Sequence, residues 1–290
     1  MQLKNTDICQ SLDWSRCLSE KLQHVLILAH PGHELRIHHW IELSKPRIYL
    51  LTDGSGGRHS ARTQYSRDLV EAAGATAGAM FGDMPDAVWY KALLAGDSGF
   101  FADVLARIHA DLSDMQDVQI VSDAVDGYNP MHDLAYAFGN ALNRLLQSPR
   151  PARKQLCSAA VPNVPGAVEV EIQLDAAARA RKMAAVKAYT PLADEARQIL
   201  DRDPQCFDRE LLISQHFDWD APWTPDWERI GKERVANKVY DRCITYKENV
   251  QPVAQRLMSE GDRTHAPRKV QRPFPGLAKG LDDCLCMKQW

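Results

Sequence analysis

VLILAHPGHELRIHHW, residues 25–40, is the stretch on which the reading of this chain turns. The run HVLILA, residues 24–29, is short and continuously apolar, as expected of a strand buried on both faces of a parallel sheet. It stops at Ala29, and Pro31 and Gly32 then force a sharp turn between His30 and His33. Imidazole is the commonest ligand for zinc and similar transition metals, and two of them on one tight loop can point into one pocket. His24, His38 and His39 read as ordinary histidines, the last two as solvated helix residues.

The pattern repeats outward from there. PRIYLLT, residues 46–52, is a second strand, which ends in the glycine-rich turn Asp53-Gly54-Ser55-Gly56-Gly57. ELRIHHWIELS between the two strands is one short helix. The spacing predicts an Ala-rich surface helix over 62–78, an amphipathic helix over 100–112, a strand over 118–124, the loop VDGYNPMHD and a helix over 134–146. Three strand ends, at Ala29, Thr52 and about Ser122, thus open into polar or glycine-bearing loops, the edge where open parallel sheets bind ligands. VEVEIQLD is a further strand, 176–189 a helix and 210–217 a strand, and the Trp-rich segment after them is helical. The expected architecture is a Rossmann-like three-layer α/β sandwich with a mostly parallel sheet and a helical C-terminal extension. Its divisions are an arm (1–20), the α/β domain (21–218), the extension (219–260) and a loop-like tail (261–290).

Composition narrows the function classes. The chain has 290 residues, 45% of them hydrophobic, enough for a sizeable core. A net charge of −3 gives no global reason to expect nucleic acid or an anionic membrane as partner. No apolar run is long enough to span a bilayer, and the start lacks a signal-peptide pattern, so a cytoplasmic location is expected. Seven cysteines with only one close pair, Cys284 and Cys286, argue against both a disulfide framework and a thiolate zinc site.

A catalytic zinc site takes three protein ligands and keeps one open position. His132 is the candidate third ligand, because its loop follows a strand that should neighbour the first. AHPGHE, residues 29–34, resembles the AHPDDE signature of the LmbE-like or PIG-L-like zinc-dependent deacetylases. Features in the same order extend that resemblance over about residues 22–217: LTDGSGG, a helix bearing Arg67, DGYNPMHDLA, and KMAAVKAY with Tyr189 in place of a histidine.

The resemblance implies His30, His33 and His132 as metal positions, with His33 replacing an aspartate. It also implies a Zn2+ cofactor, and a three-His set admits Fe, Co or Ni as well. It places the family's base at Gly32, and its oxyanion-assisting His and supporting Asp at Asn129 and Met131. A relocated base is then expected, first Asp126, with Asp123, Asp53 and Asp133 as alternatives. Asn129 remains able to donate to an oxyanion, and Arg67 is a candidate substrate-binding residue. Trp219, Trp223 and Trp227 either stack on sugar rings or pin the extension to the core. The expected activity is a metal-dependent amide hydrolysis of an N-acyl amino sugar or related conjugate. The alternative is a divergent member that binds metal or carbohydrate without hydrolysis, or carries redox chemistry at a three-His ion. The oligomeric state stays open.

Overall fold

The computed structural model describes residues 22–56, 60–147, 153–203 and 205–263. The expected arm, the tail from residue 264, Gly57 and the Cys284/Cys286 pair lie outside them. Strand β1 (Gln23–Leu28) is buried at every position after its first. Successive side chains on a strand point to opposite faces, so Val25 and Ile27 enter one apolar cluster while Leu26 and Leu28 enter another. A strand covered on both sides has no solvent face, hence the continuous apolar run.

The other strands are β2 (Arg47–Leu50), β3 (Thr76–Phe81), β4 (Val118–Asp123), β5 (Leu156–Ser158), β6 (Ala167–Gln173) and β7 (Arg209–Ser214). They form one seven-stranded sheet in the order β3-β2-β1-β4-β5-β7-β6. The first five run parallel, and the β5–β7 and β7–β6 pairs are antiparallel. Helices α1 (His38–Ser44), α2 (Thr63–Ala72) and α6 (Ala176–Ala188) cover one face through Trp40, Ile41, Leu69 and Val186. Helices α3 (Asp86–Leu94), α4 (Ser98–Asp111), α5 (Pro130–Gln147) and α9 (Gln251–Gly261) cover the other through Trp89, Phe101, Phe138 and Leu257. The chain runs from β1 out to β2 and β3, then returns to β4 on the far side of β1. The strand order reverses there, and the crevice at the carboxyl ends of β1 and β4 is the natural ligand position of such a sheet.

The helical C-terminal part, with α8 (Asp226–Ala236), is continuous with this core. Trp219 and Trp227 are buried in the same cluster as Phe138, and the Tyr246 hydroxyl donates to the Trp219 carbonyl at 2.7 Å. These tryptophans pin the segment to the core, and Trp223 packs half-buried against Phe217. Among the described residues no helix is long and apolar enough to cross a membrane.

Three expectations are corrected. The helix foreseen over 62–78 ends at Ala72, and residues from Thr76 form β3. A Cβ on Gly78 would come within 2.3 Å of the Tyr49 ring, and the Thr-Ala-Gly-Ala start of this strand carries little strand signal. Helix α5 begins at Pro130, so His132 sits in its first turn and not in a loop. Proline suits that position, because its missing N–H would have no partner there. His38 is buried rather than solvated, its α1 face turned to the core. Helices α3 and α7 (Ala193–Arg202) and strand β5 were not foreseen.

Candidate functional site

The loop after β1 is shaped by Gly32, whose φ of 107° lies in the region that glycine alone tolerates readily. A Cβ there would also come 2.3 Å from Leu192 Cδ1. Glu34, fully buried, fastens the turn by accepting the Gly32 N–H at 2.8 Å and the Ser66 hydroxyl. Burial pushes its carboxyl up in pKa, against those two bonds. The Tyr189 hydroxyl lies 3.0 Å from Ser66 Oγ, so Tyr189 belongs to the scaffold behind the loop. Across the crevice, Asn129 caps α5, its Oδ1 accepting the Met131 N–H at 2.8 Å. The first turn of that helix carries His132 toward the β1 loop.

The three histidines converge. Ring centroids are 5.5 Å apart for His30 and His33, 5.3 Å for His30 and His132, and 4.6 Å for His33 and His132. Each ring also has its own carboxylate. His30 Nδ1 is 3.2 Å from Asp86 Oδ1 and 2.8 Å from Thr52 Oγ1. His33 Nδ1 is 2.9 Å from both Asp123 oxygens, and His132 Nδ1 is 2.7 Å from Asp126 Oδ2. An ionised carboxylate can only accept, so Nδ1 of His33 and of His132 carries a proton toward its carboxylate, and Asp86 favours the same arrangement at His30. His30 Nε2 is buried with no hydrogen-bond partner in the protein. Among the described residues no three His, Cys, Asp or Glu side chains already meet at metal-ligand spacing. The rings rest edge to face, so an ion would have to draw their Nε2 atoms together. The donor chemistry fits zinc-class metals, with three imidazoles on one site whose Nδ1 atoms each face a carboxylate.

Burial, followed by the charges of His132, Arg36 and His30, holds the His33 pKa well below its ordinary value against an opposing pull from Asp126. It is therefore neutral near pH 7, as a ligand must be. Burial pushes Asp123 up to about 6, opposed by the His132 charge and by the Ala29 N–H, which bonds Oδ2 at 2.7 Å. Burial would also raise Asp126 and Asp86. The bonds and charges of His132 and His30, respectively, outweigh it and hold both below the usual range.

The remaining expected residues fall as follows. Asp126 is engaged through both oxygens, with His132 and with the Tyr128 N–H at 2.8 Å. Asp133 clamps the loop, accepting the N–H groups of Asp126 and Gly127 and, at 2.8 Å, Trp227 Nε1–H. Asp53 Oδ1 accepts the N–H groups of Ser55 and Asp86. Asn129 Oδ1 also receives the Tyr90 hydroxyl at 3.1 Å, which leaves the amide NH2 as its free end. Arg67 stacks over the Phe81 ring at 4.9 Å. A helix turns about 100° per residue, and Ser66 takes the inward position toward Glu34. The arginine at the histidine loop is instead Arg62, whose guanidinium shares the space around Gly54 with Pro31 and whose Nε is buried without a partner. Arg62, Arg36, Thr52 and Asp86 were missed in the sequence. Only the proximity of Thr52 to a strand's carboxyl end could have signalled one of them.

No family model matches the chain, and no curated protein matches it. Among solved structures, the chain is similar to a deacetylase triple mutant involved in the teicoplanin biosynthetic pathway. The TM-score is 0.42 and the identity 12%, over 68% of this chain and 100% of that one.

Proposed function

We propose that the protein is a metal-dependent amide hydrolase of the deacetylase type, acting on an N-acyl amino sugar or a related conjugate. The observation that carries this reading is the convergence of three imidazoles, each held through Nδ1 by its own carboxylate. That arrangement fixes ligand tautomers and raises ligand basicity, and as pure scaffold it would bury three carboxylates to little purpose. The AHPGHE and NPMHD motifs point the same way. His30, His33 and His132 would hold the ion, zinc by donor type, with iron, cobalt or nickel also accommodated. An ion of this class supplies a Lewis acid for the acyl carbonyl and lowers the pKa of water toward about 7.

The chain's own groups supply the rest. Asn129, its amide oriented by Tyr90 and Met131, offers NH2 to the developing oxyanion. Asp126 keeps the His132 proton on Nδ1, a positioning role in place of the base foreseen for it, because both its oxygens are committed. Arg62 stands beside the histidine loop as a donor for substrate hydroxyls or anions.

The engagement of Asp123, Asp126, Asp133 and Asp53 in the scaffold favours one second reading, a protein that binds metal and sugar without hydrolysis. Metal analysis of the purified protein, joined to acetate release from a panel of N-acetyl amino sugars, separates the two. The expectation is about one metal per chain, given a single three-ligand centre, with metal and acetate release both lost in His132→Ala. Wild-type protein that takes up no stoichiometric metal sinks the centre itself. Metal without acetate release leaves the second reading.

A further inference from the structure

Arg36 leaves the 3-10 turn that follows the histidine loop (His33–Ile37), and its NH1 donates to the Ala159 carbonyl at 2.9 Å. Ala159 follows β5, and β4 lies between β1 and β5. The side chain therefore crosses the carboxyl end of β4, where Asp123 holds His33. Below it, Lys182 Nζ donates to the Arg36 carbonyl at 2.7 Å, so backbone and guanidinium are both anchored.

An arginine present only to neutralise Asp123 and Asp126 would bond to them. Among the described residues this one forms no ion pair, and its hydrogen bond goes to a neutral carbonyl, which leaves most of its charged donors unused. Its surroundings are those of a binding rim. Tyr128, 44% exposed, lies across the His132 ring at 6.2 Å with a tilt of 31°. The carboxylates of Asp123, Glu195 and Asp126 act on Arg36, and of these only Glu195 is exposed. A half-buried, anchored guanidinium is preorganised for a planar or phosphate-like oxyanion and loses little freedom on binding one.

We propose that Arg36 is a specificity-determining residue that selects substrates bearing an oxyanion, a carboxylate, sulfate or phosphate ester, on or beside the acylated sugar. The proposal rests on reading the histidine cluster as the substrate site.

Calorimetric binding to the full chain tests it without turnover. The probes are N-acetylglucosamine, its 6-phosphate, its 6-sulfate and its 3-O-lactyl ether, which carries the carboxylate. At least one anionic probe is expected to bind ~10-fold or more tightly than the neutral one, as charge-assisted bidentate contacts allow. Arg36→Met should erase that preference and Arg36→Lys keep part of it. Glu195→Gln, on an exposed position of α7, should strengthen anion binding by removing a competing charge. Equal binding of all four probes, no binding of any anionic probe, or a preference that survives Arg36→Met overturns the proposal. Should Arg36→Met lose its circular-dichroism signature, a preference that neither Arg36→Lys nor Glu195→Gln alters is equally fatal. Arg36-dependent anion binding without acetate release would sink hydrolysis and leave this inference standing.

Discussion

Gly32 stands where the AHPDDE resemblance expects a base, and the backbone geometry there disfavours any side chain. With φ at 107° and Leu192 Cδ1 2.3 Å from a prospective Cβ, Gly32→Asp would strain the backbone and strike a neighbour. The cost should be about 1–3 kcal/mol, typical of a side chain forced into that region. Urea denaturation would register it, and acetate release should not rise. Asp126→Asn is the complementary change. An amide can present NH2 as well as C=O, so Nδ1 of His132 is no longer certain to carry the proton. Metal affinity should fall about 10- to 100-fold, the usual cost of losing an outer acceptor, with circular dichroism unchanged. An unaltered affinity in a competition titration would mean that Asp126 is only a loop residue.

At the scale of elements, legibility followed local chemistry. Strand β1 and its loop could be read because a run buried on both faces and a His-Pro-Gly-His turn are contiguous in sequence. Strand β3 could not, since its Gly78 answers to the Tyr49 ring, a contact made across strands. The start of α5 is hidden because a proline reads as a breaker, whereas Pro130 is a first helical residue. Of the carboxylates behind the histidines, Asp123 and Asp126 are visible in the sequence, though as base candidates, whereas Asp86 belongs to the unforeseen α3. Between elements, Glu42 of α1 joins α6 through a two-pronged pair with Arg181 at 2.7 and 2.9 Å, and also faces His39 Nδ1 at 2.7 Å. Burial would raise the Glu42 pKa, yet these bonds outweigh it and bring it from its ordinary 4.5 to about 2. A carboxylate depressed on folding stabilises fully above its unfolded pKa and loses that contribution as pH falls through the folded one. Arg181 is half exposed, so the contribution is closer to about 1 kcal/mol than to the full shift. Glu42→Gln should lose that amount near neutral pH. Its deficit against wild type should close as pH falls from 4.5 toward 2. A gap that stays constant with pH would assign the loss to packing.

Across the whole molecule, one buried ion pair ties the antiparallel end of the sheet to the histidine loop. Lys182 of α6 and Glu210 of β7 meet at 2.8 Å, each side chain 1% exposed. Glu210 also accepts the N–H groups of His39 and Trp40 at 2.9 and 2.8 Å, capping the start of α1. Lys182 gives a second bond to the Arg36 carbonyl. Burial lowers the Lys182 pKa against the pull of Glu210, a sign that the charge is held at a cost by its partner. Removing one member leaves the other uncompensated in the interior, so Lys182→Met should destabilise by about 3–5 kcal/mol in urea denaturation. Lys182→Met combined with Glu210→Gln should be less destabilised than Lys182→Met alone, because the orphaned charge is gone. The single variant should also loosen the turn that carries His33 and Arg36, lowering metal affinity at temperatures where it is still folded. If the double variant is instead the worse of the two, Glu210 acts mainly as the cap of α1. The carboxyl-edge site would then stand on β1 and β4 without help from the antiparallel end of the sheet.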